Sequence, residues 1–476
     1  MEDKFYITTP IYYINDKPHI GHALTTIVAD MLARFYRQRG DDVIFVTGTD
    51  ENSQKTVDAA KKAGEDTQAF TDRMALQWEA TWERLGISNT DFIRTTEPRH
   101  IETVKDLWGR IDAADDLYLD TYEGLYCKGC EEFKKEDELI DGLCPIHKTE
   151  PEQVREQNYF FRLSKYQAPL LELYENHPDF VAPANRFNEV KAFVERGLED
   201  ISVSREARDW GIPVPNDEHQ KIYVWFDALI NYISAVGVDW WEQHPADIHC
   251  MAKEIARFHA VIWPAMLLSA GLPLPHHIAV SGFLTNDGEK ISKSLGNTVD
   301  PLDLVERYGN DAVRYFLLRE VPFGEDGDFS ETKMRDRYNS DLANGLGNFA
   351  ARVLTLAEKE ELTSGELDAT FVEQIESMKI AVDKKTKQFQ FHEALAAIWA
   401  ALAFGDRYVN EQKVWAIEDV KKRHQALFNL VSLLDNVAAA VLPFLPDASH
   451  VISGALVWDG KILKAKKIEP LFPRIK

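Results

Sequence analysis

The first 85 residues alternate short runs suited to strands with longer stretches suited to helices. Phe5 to Thr9 is a run of aromatic and β-branched residues, and Val43 to Thr47 is a short continuous apolar run; both read as strands. Between them, Leu24, Ile27, Val28, Met31, Leu32 and Phe35 recur at helical spacing, predicting a helix over 20–38. Phe70, Met74, Trp78 and Trp82 form one stripe of a second helix over 67–85. Strand, helix, strand, helix predicts a parallel sheet with crossover helices, because parallel neighbours need a long connection that packs back onto the sheet.

That rhythm cannot fill 476 residues, a length that suggests about three domains. It breaks at 117–160, which is rich in Tyr, Cys, Gly and charge and reads as the core of an insertion. The α/β pattern is expected to resume near Ile222-Tyr223-Val224-Trp225-Phe226. It continues through helical spacing over 254–269, interrupted or restarted at Pro264, and a strand over 277–283. From about 341 the chain is Ala/Leu-rich with helical period, a separate helical domain. The expected division is 1–116 and 221–340 as two halves of an α/β domain, 117–220 as an insertion, and 341–476 as a helical bundle.

Two short motifs carry chemistry. Pro18-His19-Ile20-Gly21-His22-Ala23 lies where the first strand hands over to the first helix. Helix-start N–H groups attract phosphate, and Gly21 leaves room for a phosphate or a flat base. His19 and His22, three apart, are placed on one face and can donate hydrogen bonds to phosphate oxygens. Far downstream, Lys290-Ile291-Ser292-Lys293-Ser294 lies between Gly288 and Gly296, a loop able to close with two ammonium groups on a triphosphate. No Walker P-loop is present. Together the motifs suggest attack of a small carboxylate on the α-phosphate of ATP.

Cys127-x2-Cys130-x13-Cys144-x2-His147 supplies three thiolates and an imidazole, a closed tetrahedral set for one structural Zn2+. Cysteines gathered this way suit a metal site in a reducing compartment better than a disulfide framework. Cys250 is left over and expected to be buried.

The paired motifs resemble the two signatures of class I aminoacyl-tRNA synthetases, with Ile291 where Met is usual. Thr8-Thr9-Pro10-Ile11-Tyr12-Tyr13, Thr47-Gly48-Thr49-Asp50-Glu51, Tyr223-Val224-Trp225-Phe226-Asp227-Ala228, Phe258-His259 and Trp263-Pro264 further resemble the methionyl branch, over nearly the whole chain. The resemblance implies a Rossmann-like α/β domain split by a zinc-binding insertion and followed by an α-helical anticodon-binding bundle. It implies ligation of L-methionine to tRNA(Met) through a methionyl-adenylate, with Mg2+ accompanying ATP. His19, His22, Lys290 and Lys293 would be catalytic, with Gly21 beside them at ATP.

An unbranched thioether suits aromatic walls. Tyr13, Trp225, Tyr232, Phe258 and His259 are candidates to line its pocket. By resemblance, Ile11 and Ile255 add apolar walls and Asp50 holds the α-ammonium group. Asn344, Asn348 and Arg352 recur at i, i+4, i+8 on one helix face, with Leu342, Leu346, Phe349 and Val353 turned to the core. By resemblance that row, with Trp415, reads the anticodon. Asn52-Ser53 and Ala252-Lys253-Glu254 depart from the branch's usual His-Gly and Gly-Lys-Asp. Those departures motivate the alternative of a catalytically weakened RNA-binding paralogue.

The net charge of -24 opposes RNA binding through the overall field. The excess lies almost wholly in residues 1–340, since residues 341–476 carry 17 Lys+Arg against 18 Asp+Glu. The last 16 residues hold six basic side chains, a local patch where RNA contact is less disfavoured. No apolar run approaches the ~20 residues of a membrane span and no signal-peptide pattern opens the chain, so a cytoplasmic protein is expected. A further dimerisation domain after the helical region is not expected, and a monomer is expected.

Overall fold

A computed structural model describes the chain apart from residues 1, 2, 128–131, 135, 146, 147, 207, 208, 287, 292–296 and 476. Its centre is a six-stranded, all-parallel sheet. Strand β1 (Lys4–Tyr13) lies inside it, flanked on one side by β2 (Asp42–Asp50) and β3 (Asp91–Arg94). On its other side come the strands Ile248–Ala252, His277–Ser281 and Val181–Ala182, in that order.

Both faces of this sheet are covered, as burial of a parallel sheet requires. Side chains alternate between two cores with the period of a strand: Phe5, Ile7, Val43, Phe45, Ile248 and Cys250 enter one, Tyr6, Val46, Ile93, Met251, Ile278 and Val280 the other. The first core is built on helices α1 (Ile20–Gln38), α2 (Gln54–Ala63) and α3 (Thr67–Arg84). It runs without interruption through the helix Asn310–Arg319 into the helices beyond residue 341. The helical region is thus packed onto the α1 face by a continuous apolar core. Leu342, Leu346, Phe349 and Val353 are fully buried there, while Asn344 and Asn348 face solvent.

The expected parallel α/β architecture and helical C-terminal region are both present. α1 has the predicted bounds, and the α3 stripe Phe70, Met74, Trp78 and Trp82 is buried. Three local features differ from the sequence reading. β1 does not stop at Thr9: Pro10 has no N–H for the ladder, so the register shifts between Thr8 and Ile11 and pairing resumes at Ile11–Gly48. The run 222–226 does not re-enter the parallel sheet. It splits into the end of an antiparallel strand, Asp217–Ile222, and a short helix, Val224–Ala228. In chain order the parallel sheet resumes at its edge strand Val181–Ala182, within the 117–220 segment expected as an insertion, and then at Ile248. The helical region also carries a three-stranded sheet of Leu362–Thr363, Leu456–Asp459 and Ile462–Ala465.

The segment 117–220 contributes an antiparallel pair, Leu117–Cys127 with Glu152–Phe161, and helices Gln167–Asn176 and Ala184–Glu195. Among the described residues, no helix is long and apolar enough to cross a membrane.

Candidate active site

β1 connects to β2 on one side, while the strand Ile248–Ala252 on its other flank continues away to His277–Ser281. The sheet therefore has a topological switch between β1 and Ile248–Ala252, and the crevice at the carboxyl ends of such strands is where α/β sheets bind ligands. Tyr13, Asp50 and Ala252 end the three strands nearest this crevice, and α1 starts beside it.

At the start of α1, His19 is the N-cap, one position outside the helix, and His22 lies in its first turn. The Gly21 N–H donates to His19 Nδ1 at 3.1 Å, and the His19 N–H donates to His22 Nδ1 at 3.2 Å. The rings stack with centroids 3.7 Å apart. Each Nδ1 accepts a backbone hydrogen bond, so a neutral ring carries its proton on Nε2. A Cβ on Gly21 would sit 3.0 Å from His19 Cε1, so glycine here permits the ring to fold over the helix start. Trp78 and Tyr12, stacked at 5.2 Å, back His22 from below.

The segment that follows the second motif reaches this helix through the backbone. Ile20 N–H donates to Val299 O at 3.0 Å, just after the Lys-containing loop, and Asn286 Nδ2 donates to Asn297 O at 3.0 Å across its base. The backbone of Lys290 pairs with Thr285 in a small antiparallel ladder. Its side chain, and all of Lys293, lie outside the described residues.

The predicted aromatic residues form two layers. Tyr13 meets Trp225 edge-on at 6.1 Å, and Trp225 stacks on Phe258 at 4.0 Å, with all three rings partly exposed. Deeper, Tyr232 and His259 are buried, 2.6 Å apart from Oη to Nε2. His259 Nδ1 lies 3.0 Å from Ile255 O, so Nδ1 carries the proton and Nε2 accepts from the Tyr232 hydroxyl. Burial pushes the His259 pKa down to about 4, although the Ile255 carbonyl acts against the shift. A neutral imidazole is therefore present at pH 7. Ile11 and Ile255 pack, half-buried, against the same core.

Asp50 is buried opposite Tyr13 in the β1–β2 pairing. Gly48, two residues earlier, is required by the close approach of β3: a Cβ there would fall 2.0 Å from Ile93 O.

Three features were missed by the sequence reading. Glu51 is fully buried and accepts from Thr49, Thr96 and a bidentate Arg94 (2.7 and 3.1 Å), which pins the turn after Asp50. His249, fully buried, contacts the Thr8 hydroxyl at 2.7 Å and the Tyr232 ring at 4.1 Å; burial, with His259 nearby, holds its pKa well below the usual range. Asn52 Nδ2 donates to Asp227 Oδ2 at 2.9 Å. Burial raises the Asp227 pKa and the Asn52 bond partly opposes this. Of these, Glu51, Asn52 and Asp227 fell in stretches the sequence reading had singled out, and His249 did not.

Elsewhere, Cys127 ends the strand Leu117–Cys127, and Lys148 N–H donates to Cys144 O at 2.8 Å. Both are buried. Cys130 and His147 lie outside the described residues, and among those described no group of three or more potential ligands converges. Cys250 is buried as expected, its thiol pKa raised by burial. On the helical region, Arg352 donates to Asn410 Oδ1 at 2.7 Å and lies 5.3 Å from the ring of Trp415, a tryptophan that is 49% exposed. Asn344 accepts from Arg474 of the C-terminal segment.

The family profile described as tRNA synthetases class I (M) matches residues 5–153 and 134–354. The chain is 45% identical to the methionine–tRNA ligase of Thermotoga maritima, across 96% of this chain and 76% of that protein. It is 44% identical to the methionine–tRNA ligase of Rhizobium meliloti, across 99% of this chain and 98% of that one. Among solved structures it is similar to Mycobacterium tuberculosis methionyl-tRNA synthetase in complex with methionyl-adenylate, with a TM-score of 0.94 and 40% identity over 99% of this chain and 100% of that chain.

Proposed function

Because the chain belongs to the methionine-type class I tRNA synthetases, we propose that it activates L-methionine with ATP and passes the methionyl group to tRNA(Met). The observation that carries this reading is that the first signature lies at the sheet's switch point, where Ile20 N–H donates to Val299 O, which follows the second signature in the chain. In the first step a methionine carboxylate oxygen bonds to the α-phosphorus of ATP, and the bond to pyrophosphate breaks. His19 and His22 donate from Nε2 to phosphate oxygens as negative charge builds. Lys290 and Lys293 offset the charge of the departing pyrophosphate, and Mg2+ accompanies the ATP. The terminal hydroxyl of tRNA then attacks the acyl carbon and AMP leaves. Orientation and charge stabilisation supply most of the rate, with little side-chain acid–base chemistry.

Methionine binds with its ammonium group at Asp50 and its thioether among Tyr13, Trp225 and Phe258, over Tyr232 and His259, with Ile11 and Ile255 as walls. The neutral state of His259 supports this, since a charged floor would penalise an apolar side chain. The Asn52–Asp227 bond supports full activity over a weakened paralogue. It shows how Asn at a position usually held by His keeps a donor to a buried carboxyl.

Residues 1–116 and 221–340 act as the two catalytic halves, 117–220 as the connecting insertion, and 341–476 as the anticodon-binding unit. There Asn344, Asn348, Arg352 and Trp415 contact the anticodon. Cys127, Cys130, Cys144 and His147 would hold one structural Zn2+; burial of both described thiols fits a soft-ligand site. Methionine-dependent ATP–pyrophosphate exchange tests the activity. Exchange is expected with methionine, Mg-ATP and labelled pyrophosphate in the absence of tRNA, and ATP binding without exchange would contradict it.

A further inference from the structure

Phe258 and His259 do not sit on an α-helix. They occupy a π turn, Phe258–Ile262, that runs into the α-helix Trp263–Ala270. Pro264, in the first turn of that helix, removes one donor that a regular helix would use. An α-helix would have residue 264 donate its N–H to Ala260 O, and proline has none to give. The fully buried side chain of Tyr174 supplies that donor instead, with its hydroxyl 2.6 Å from Ala260 O. Tyr174 comes from the helix Gln167–Asn176, far in sequence from the pocket, and packs there between Phe180 and Phe187. The opposite side of the turn is fixed by the Trp225 stack on Phe258 and the Tyr232 bond to His259.

We infer that Tyr174 is a positioning residue for methionine selection: its hydroxyl replaces the backbone donor removed by Pro264 and holds the turn that presents Phe258 and His259 to the amino acid. π turns inside helices often mark functional sites because the extra residue re-aims side chains. Here the re-aimed side chains are the two that would contact the substrate, and the hydroxyl on Ala260 O lies one residue beyond them. The insertion thereby supports the amino-acid pocket directly, without touching substrate. The inference rests on the methionine-binding role proposed above.

Tyr174→Phe removes the hydroxyl and keeps the packing ring. Loss of one buried hydrogen bond is expected to raise the methionine KM about three- to tenfold in pyrophosphate exchange. The ATP KM and kcat should stay within about twofold, because His19 and His22 stand on another element. Pro264→Ala provides the discriminating background: it restores a backbone N–H to pair with Ala260 O. There, adding Tyr174→Phe should change the methionine KM by less than about twofold relative to Pro264→Ala alone. An unchanged methionine KM in Tyr174→Phe, an equal rise in both substrates' KM, or the same effect in both backgrounds would each overturn the inference. Absence of exchange in the unaltered chain would overturn the parent reading and this one with it. Exchange without a methionine-specific effect would overturn this one alone.

Discussion

His100, on the helix Pro98–Ala113, is fully buried with Nδ1 3.0 Å from the Ser234 hydroxyl. That hydroxyl already donates to Ile230 O, so Nδ1 carries the imidazole proton. Burial, with a smaller contribution from Arg99, pushes the His100 pKa down to about 3. In the unfolded chain the ring takes a proton near pH 6.5. Between those values the unfolded state binds more protons, so His100 withdraws stability as pH falls from about 6.5 towards 3, at about 1.4 kcal/mol per pH unit. A His100→Gln variant lacks this penalty. Denaturant unfolding at pH 7, 6 and 5 should show its stability relative to wild type rising by about that slope below pH 6.5. A gap that does not change with pH would contradict the assignment.

At the scale of elements, α1 does more than present His19 and His22. Asp30, fully buried near its middle, meets the Arg314 guanidinium at 2.7 Å, and Arg314 also donates to Phe444 O and Pro443 O in the helical region. Burial would raise the Asp30 pKa, but Arg314 and Arg34 outweigh it and hold the carboxyl below its ordinary range. Arg314→Met leaves Asp30 with Arg34 and Ser88 only, and should cost about 3 kcal/mol in urea unfolding, the usual scale for breaking a buried pair. The Asp30→Asn, Arg314→Met double variant should lose less than the sum of the single changes. Additive losses would show that the pair is not coupled.

Elements with long periodic patterns were the legible ones. α1 and α3 announced themselves through six and four apolar positions at helical spacing. The run Ile222–Phe226 was not legible, because a short apolar run reads alike as a buried strand or a buried helix turn. Strands of two to four residues, such as Leu362–Thr363, leave no period to find. Within the candidate site, His19, His22 and the aromatic residues proposed to line it were named from motifs. His249 and Tyr174 were not, since each matters through a partner far off in sequence: Thr8 for one, Ala260 for the other.

For the whole molecule, the proposed anticodon contacts belong to the helical region and the proposed adenylate-forming groups to the α/β sheet, so the two roles should be independently removable. Trp415→Ala should raise the KM for tRNA in methionylation about ten- to hundredfold, the range expected for one lost base–aromatic stack, and leave pyrophosphate exchange unaltered. Equal loss in both assays would contradict an anticodon role. Metal analysis of purified protein should give about one zinc per chain, and Cys144→Ser should lose it. Retention of zinc by that variant would contradict the ligand set. The central claim is that one crevice forms methionyl-adenylate and then delivers its acyl group. Incubation with ATP and radiolabelled methionine, isolation of the protein-bound label, and addition of uncharged tRNA(Met) without further ATP tests it most directly. The account requires a labelled adenylate on the protein and transfer of that label to the tRNA. Failure to form the adenylate, or an adenylate that never transfers, would contradict it.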